Sequence, residues 1–280
     1  MTNLTTQSRW TRVRCPVPRG SERADAFLTT LLGPALNGMV ADGQVCCWLF
    51  ERAPGPAIRL HAWEADRPVL MARLTGLVAA TQPHREPVAL LGPGTPTPTA
   101  LPTLAPELSS RSTQVALDVI AATPTHRSRL RTAVDLAITT AIGMDLHSAD
   151  ALARLALCDD IDPAAATLGM LVCPRGLDES APTHGGQWRR IRDVLRTGSG
   201  HLARWAGCLA ELGASATGPA TAMHRLLNNQ LGLGVDDERR IYGTVVMSLP
   251  GAARRRRVMR PRVPVAARCA YRRPDVATSD

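Results

Sequence analysis

The chain reads as an α+β protein, with a mixed or antiparallel sheet near the N-terminus packed with a mainly helical C-terminal half. Three observations lead to this reading. Short runs that alternate apolar and polar residues, broken by Pro and Gly, fill the N-terminal part. From Thr113 onward the spacing of apolar residues turns helical. The order strand, helix, strand, strand, helix suits a sheet with helices packed on one face.

Trp10-Thr-Arg-Val-Arg-Cys15 alternates as a first strand, ended by Pro16 and Pro18. Ser21 is the expected N-cap of the next helix, with Glu22 and Asp25 near its positive end and Ala26, Phe27, Leu31 and Leu32 as its apolar set. The most informative stretch is Gly43–Trp63. Val45 to Phe50 is a compact run, Pro54, Gly55 and Pro56 supply turn chemistry, and Ile58, Leu60 and Ala62 alternate with Arg59, His61 and Trp63. That alternation puts Arg59 and His61 on one face of one strand. Spacing alone describes a solvated outer face more simply than a site. Cys46 and Cys47, adjacent on a strand, face opposite sides and read as buried thiols, not as a chelate. Asp66-Arg-Pro-Val opens a helix with Pro68 in its first turn and Leu70, Leu74, Leu77 and Val78 along it.

Residues 92–106 hold five prolines and read as a stiff surface loop. Helices follow around Val115–Ile120, Leu130–Met144, Ala149–Leu157, Trp188–Leu195 and Leu202–Leu212, with Arg189, Arg190, Arg192 and Arg196 on the wet side. His126 and His147 read as surface or capping residues. In the last such stretch His224 and Asn228 are four apart and share a helix face. Gly232 and Gly234 stop that helix, and Asp236 or Asp237 caps the next, which places Tyr242 near the same pocket. Alone, this His–Asn spacing is that of a hydrogen-bonded core pair.

At 45% hydrophobic residues the chain is globular, and no apolar run approaches the roughly 20 residues of a membrane span. Seven cysteines without a CxxC pair, behind an N-terminus lacking an apolar signal core, point to a reduced, cytoplasmic setting. The net charge of +9 is concentrated at one end. Residues 252–280 hold nine Arg and two Asp, leaving residues 1–251 almost neutral. The expected organisation is a single domain over 1–251 and an Arg-rich, disordered arm over 252–280. Walker, GxGxxG, HExxH and GxSxG patterns do not occur, so no metal and no cofactor are expected.

Trp48-Leu49-Phe50, Arg52, the Pro54/Pro56 turn and Arg59-Leu60-His61 together resemble the opening signature of the C-terminal domain of lantibiotic dehydratases. The same domain occurs as stand-alone thiopeptide-type bacteriocin biosynthesis proteins. Ala53, Ala57 and His61 stand where that signature has Tyr, His and Arg. His224 with Asn228 or Asn229, followed by Asn229 or Gln230 in place of an Arg, resembles the family's closing motif. The resemblance implies an enzyme that matures a ribosomally made peptide. Its catalytic residues would be Arg59, His61, His224 and Tyr242, and Arg52, Trp63, Asn228, Asn229 and Gln230 would bind substrate.

Two reactions are implied by the resemblance. One is formal [4+2] cycloaddition of two dehydroalanines, forming a thiopeptide pyridine macrocycle and expelling the leader peptide. The other is elimination of glutamate, as the second half of a split dehydratase. Elimination wants paired cations for the glutamate carboxylates, whereas cycloaddition relies on orientation and one or two acid–base groups. Replacement of the family's second Arg by His61 tilts the expectation toward the cyclase. A non-catalytic protein that binds the leader by strand addition is the third possibility. The implied partners are the precursor peptide, leader and dehydrated core, and a separate tRNA-dependent glutamylating dehydratase. No membrane and no nucleic acid is expected.

Overall fold

The computed structural model describes residues 9–81, 86–92, 105–145, 186–213 and 217–248. Four strands, β1 (Trp10–Pro16), β2 (Cys47–Arg52), β3 (Ala57–Trp63) and β4 (Ala89–Leu90), form one sheet in the order β2-β3-β1-β4. Every pairing is antiparallel. The β2–β3 hairpin closes where the Pro54-Gly55-Pro56 chemistry foretells it. Ala53 N donates to Ala57 O at 3.1 Å, and Gly55 takes φ +78°, a value that suits a residue without Cβ.

Between β1 and β2 runs one continuous helical stretch: α1 (Ser21–Phe27), a π-helical turn (Leu28–Leu32) and α2 (Gly33–Ala41). Two details differ from the sequence reading. Ser21 is not the cap; Gly20, at φ +91°, precedes the helix and no side-chain cap bond forms. The wider π turn also shifts the buried face. Phe27, Leu28, Leu32, Leu36 and Met39 are buried, while Ala26 and Leu31 face outward.

Among the described residues seven further helices follow: α3 (Arg67–Thr81), α4 (Pro106–Ala122), α5 (His126–Gly143), α6 (Gly186–Thr197), α7 (Gly200–Leu212), α8 (Thr217–Gln230) and α9 (Val235–Ser248). Helix α4 starts with Pro106 in its first turn, well before Thr113. Helix α5 begins with a capping box in which Thr125 and Ser128 satisfy each other's backbone N–H. Arg189, Arg190, Arg192 and Arg196 are exposed on α6, as their spacing requires. The expected helix at Ala149–Leu157, His147, most of the Pro-rich loop and the Arg-rich arm lie outside the described residues.

Alternation splits the sheet cleanly. Val13, Cys15, Trp48, Phe50, Ile58, Leu60 and Ala62 share one face and merge into a single buried cluster with the helices. Helices therefore cover this face. Cys47 is buried on the opposite face, but Cys46 precedes β2 and is exposed, so only one of that pair is a buried thiol.

The outer edge of β2 does not face solvent at its C-terminal end. Asn229 Oδ1 accepts from Arg52 N at 2.8 Å, and Asn229 Nδ2 donates to Arg52 O at 3.2 Å. Gln230 Nε2 donates to Phe50 O at 2.9 Å and to Thr113 Oγ1 at 2.8 Å. The last turn of α8 thus supplies the hydrogen bonds that a fifth strand would have made. Among the described residues, no helix is long and apolar enough to cross a membrane.

Candidate functional site

The sheet face away from the core carries the polar residues, and strand register arranges them in rows. Cys47, Trp63 and Trp10 form one row across β2, β3 and β1; Leu49, His61 and Arg12 form the next; Glu51, Arg59 and Arg14 form the third. Arg59 and His61 do share a face, as period-two alternation requires.

Their environments differ. His61 is fully buried, with Nε2 3.1 Å from Glu51 Oε2 and its ring edge-on to Trp10 at 6.4 Å. Leu49, which is opposite His61 in register, packs against Leu226 of α8, and Trp10 completes the cover. Nδ1 of His61 has no hydrogen-bond partner among the described residues. Arg59 is half-buried and, among the described residues, makes no hydrogen bond or ion pair. Arg14 pairs with Glu86, and Arg12 Nη2 donates to Gly92 O at 3.2 Å. Two arginines, Arg14 and Arg59, therefore stand directly opposite each other on neighbouring strands. Like charges so placed repel, and an anionic or strongly polar ligand between them would relieve that repulsion. Trp63 lies edge-on to Trp10 at 5.1 Å, with the Arg9 guanidinium 5.9 Å from the Trp63 ring. Burial pushes the Cys47 thiol up to about 12, so it is no nucleophile at neutral pH.

The other sequence-derived residues fall in two different places. Arg52, Asn229 and Gln230 hold elements together. Besides the edge bonds above, Arg52 Nε donates to Gln230 O at 2.8 Å and its guanidinium pairs with Asp25. Asp25 also accepts from Arg129 Nη2 at 2.7 Å, so one buried carboxylate ties α1 to β2 and α5.

His224, Asn228 and Tyr242 form a seam between α8 and α9. The structure brings His224 and Tyr242 together, with ring centroids 5.9 Å apart, and Trp205 of α7 lies 6.0 Å from His224. Thr140 Oγ1 is 3.3 Å from His224 Nδ1 and accepts from Trp205 Nε1 at 2.9 Å. One helical turn on, Asn228 Nδ2 donates to Glu238 Oε1 at 3.2 Å. Burial raises the Glu238 carboxyl above its ordinary value, against the pull of the Asn228 bond and the Arg225 charge. His224 is 1% exposed, and burial lowers its pKa to about 4.

Helix geometry separates this seam from the sheet face. Successive α-helical residues turn by about 100°, so His224 and Asn228 point about 160° away from Leu226, which packs on Leu49. Among the described residues, no hydrogen bond or ring contact joins His224 to His61. The four candidate catalytic residues thus divide into a sheet-face pair, Arg59 and His61, and a seam pair, His224 and Tyr242.

Glu51, Arg12, Arg14 and Trp10 complete the face and escaped the sequence reading. The alternation of Trp10-Thr-Arg-Val-Arg did put residues 10, 12 and 14 on one side of β1. What the sequence lacks is the β1–β3 register that lays Arg12 against His61 and Arg14 against Arg59. Chemically, the face offers the Arg59 guanidinium, without a partner among the described residues, to hold a carbonyl or carboxylate oxygen, beside a carboxylate–imidazole pair able to move a proton.

No protein-family model matches the sequence, and no curated protein matches it. Solved structures do. TsrL is 16% identical, with a TM-score of 0.61, over 88% of this chain and 95% of its own. The pyridine synthase TbtD from thiomuracin biosynthesis is 15% identical, with a TM-score of 0.55, over 86% of this chain and 97% of its own. The tRNA-dependent lantibiotic dehydratase MibB from Microbispora sp. 107891 is 16% identical, with a TM-score of 0.52, over 92% of this chain but 29% of its own. At these identities the likeness is one of fold, and the chain has the lantibiotic-dehydratase-like fold shared by TsrL, by TbtD and by part of MibB.

Proposed function

We propose that this protein matures a ribosomally made peptide by formal [4+2] cycloaddition of two dehydroalanines. The reaction closes a pyridine macrocycle and releases the leader peptide as its amide. The observation that carries the reading is the row of Glu51, Arg59 and Arg14 beside His61 and Arg12 on the sheet face away from the main core. One dehydroalanine amide must tautomerise to an iminol to become an aza-diene, and the second alkene must be held against it. Arg59 suits the amide oxygen, and the Glu51–His61 pair suits the proton that moves from nitrogen to oxygen. Trp10 and Trp63 offer apolar surface beside them for holding flat alkenes, and orientation of that kind supplies much of the acceleration in such a reaction. TbtD, described as a pyridine synthase, has the same fold over nearly its whole length, which supports the reading.

One observation favours a second reading. Arg14 opposite Arg59 gives the face more than one cation, and paired cations suit the carboxylates of a glutamyl ester destined for elimination. Mass spectrometry separates the two. Incubated with a peptide carrying a leader and two dehydroalanines, the protein should release water and the leader amide and leave a pyridine macrocycle. It should leave a peptide with glutamate esterified to Ser untouched. Removal of glutamate with no action on the bis-dehydroalanine peptide would establish the eliminase instead, and binding without either reaction would leave a leader-binding partner. Arg59→Ala should impair either reaction.

A further inference from the structure

The two members of the carboxylate–imidazole pair differ in access. The His61 side chain is 0% exposed, and Glu51 is 13% exposed. Glu51 stands in the same row as Arg59, on the adjacent strand, while His61 lies in the next row, beside Leu49 and against the Trp10 ring. Glu51 Oε2 is taken by His61, and Oε1 makes no hydrogen bond among the described residues. A carboxylate is acceptor-only, so the neutral imidazole must carry its proton on Nε2 to make this bond. Nδ1 then holds a lone pair, with no buried N–H left over.

Resting on the functional reading above, we propose that Glu51 is the residue of this face that exchanges protons with the substrate. His61 is then a positioning residue, its Nε2–H holding the carboxylate toward the substrate side. In the cyclisation, the Glu51 carboxylate takes the amide N–H proton of one dehydroalanine. The resulting carboxylic acid returns that proton to the amide oxygen as the C=N bond of the iminol forms. No proton is gained or lost overall, and no further reactant is needed.

The test has two arms. In the wild-type protein, long-range proton–nitrogen correlation of the imidazoles, assigned by comparison with His61→Gln, should show the His61 proton on Nε2. A proton on Nδ1 would overturn the assignment. In the kinetic arm, Glu51→Gln should lower kcat on the bis-dehydroalanine peptide by about 100-fold or more and change KM by less than about threefold. His61→Gln should lose no more than about tenfold, because the Gln amide can take over the Nε2–H donation. The reverse order, an inactive His61→Gln with an active Glu51→Gln, would make His61 the proton carrier and end this proposal while sparing the cyclase reading. A wild-type protein inert toward the peptide would end both.

Discussion

Replacing His224 with Phe should flatten the protein's loss of stability in mild acid. His224 sits among Trp205, Tyr242 and Thr140 at 1% exposure, and burial holds its pKa at about 4, against 6.5 for the free side chain. The folded value is depressed, so the unfolded chain binds a proton first as pH falls. The stability due to the neutral, buried ring is complete above pH 6.5 and lost progressively as pH drops to about 4. Over the full window this amounts to about 3 kcal/mol, of which about 2 kcal/mol disappears between pH 7 and pH 5. His224→Phe keeps ring packing but cannot titrate, and it forgoes the Thr140 contact at a cost of about 1 kcal/mol. Urea unfolding of both proteins at pH 7 and pH 5 gives the answer. The variant should be the less stable at pH 7, and the gap should shrink by about 2 kcal/mol, or reverse, at pH 5. Parallel stability curves across that range would refute a neutral, desolvated His224.

Two further substitutions probe how the helices are fastened to the sheet. Asp25→Ala leaves the Arg52 and Arg129 guanidinium groups without their shared buried carboxylate, and should cost about 3–5 kcal/mol in urea unfolding. Asp118→Ala, which breaks an exposed pair with Arg204, should cost less than about 1 kcal/mol by the same measurement. Gly232→Ala forces a side chain into φ +73°, with its Cβ 3.2 Å from Arg52 Nε, and should lower stability by about 1–2 kcal/mol, read as a shift of the urea midpoint.

The parts of this molecule legible in the sequence are those governed by local rules. The β2–β3 hairpin follows from Pro54-Gly55-Pro56 between two apolar runs, and the shared face of Arg59 and His61 follows from their spacing of two. The nearness of His224 to Tyr242 is legible because Gly232 and Gly234 end α8 and leave only a short link to α9. What failed was non-local. Nothing near Ser21 announces the π turn that re-aims Leu31 to solvent. Nothing near Arg52 says that its guanidinium will meet Asp25, or that Asn229 and Gln230 will hydrogen-bond the β2 main chain. Only strand register puts Glu51 beside His61 and Arg59. Resemblance in short motifs does not say which side chains fasten a helix to a strand, as Arg52, Asn229 and Gln230 do.

The hydrogen bonds that Asn229 and Gln230 make to β2 span 177 to 180 positions of chain. A ribosome adds about 5–20 residues per second, so β2 emerges roughly 9–36 seconds before the amides that complete its edge. During that interval the Phe50 carbonyl and the Arg52 main chain are open to pairing with another nascent chain, beside an apolar run from Val45 to Phe50. Helix α8 therefore closes a period of vulnerability in synthesis as well as a side of the sheet, and polypeptides arrested before residue 229 would keep that adhesive edge.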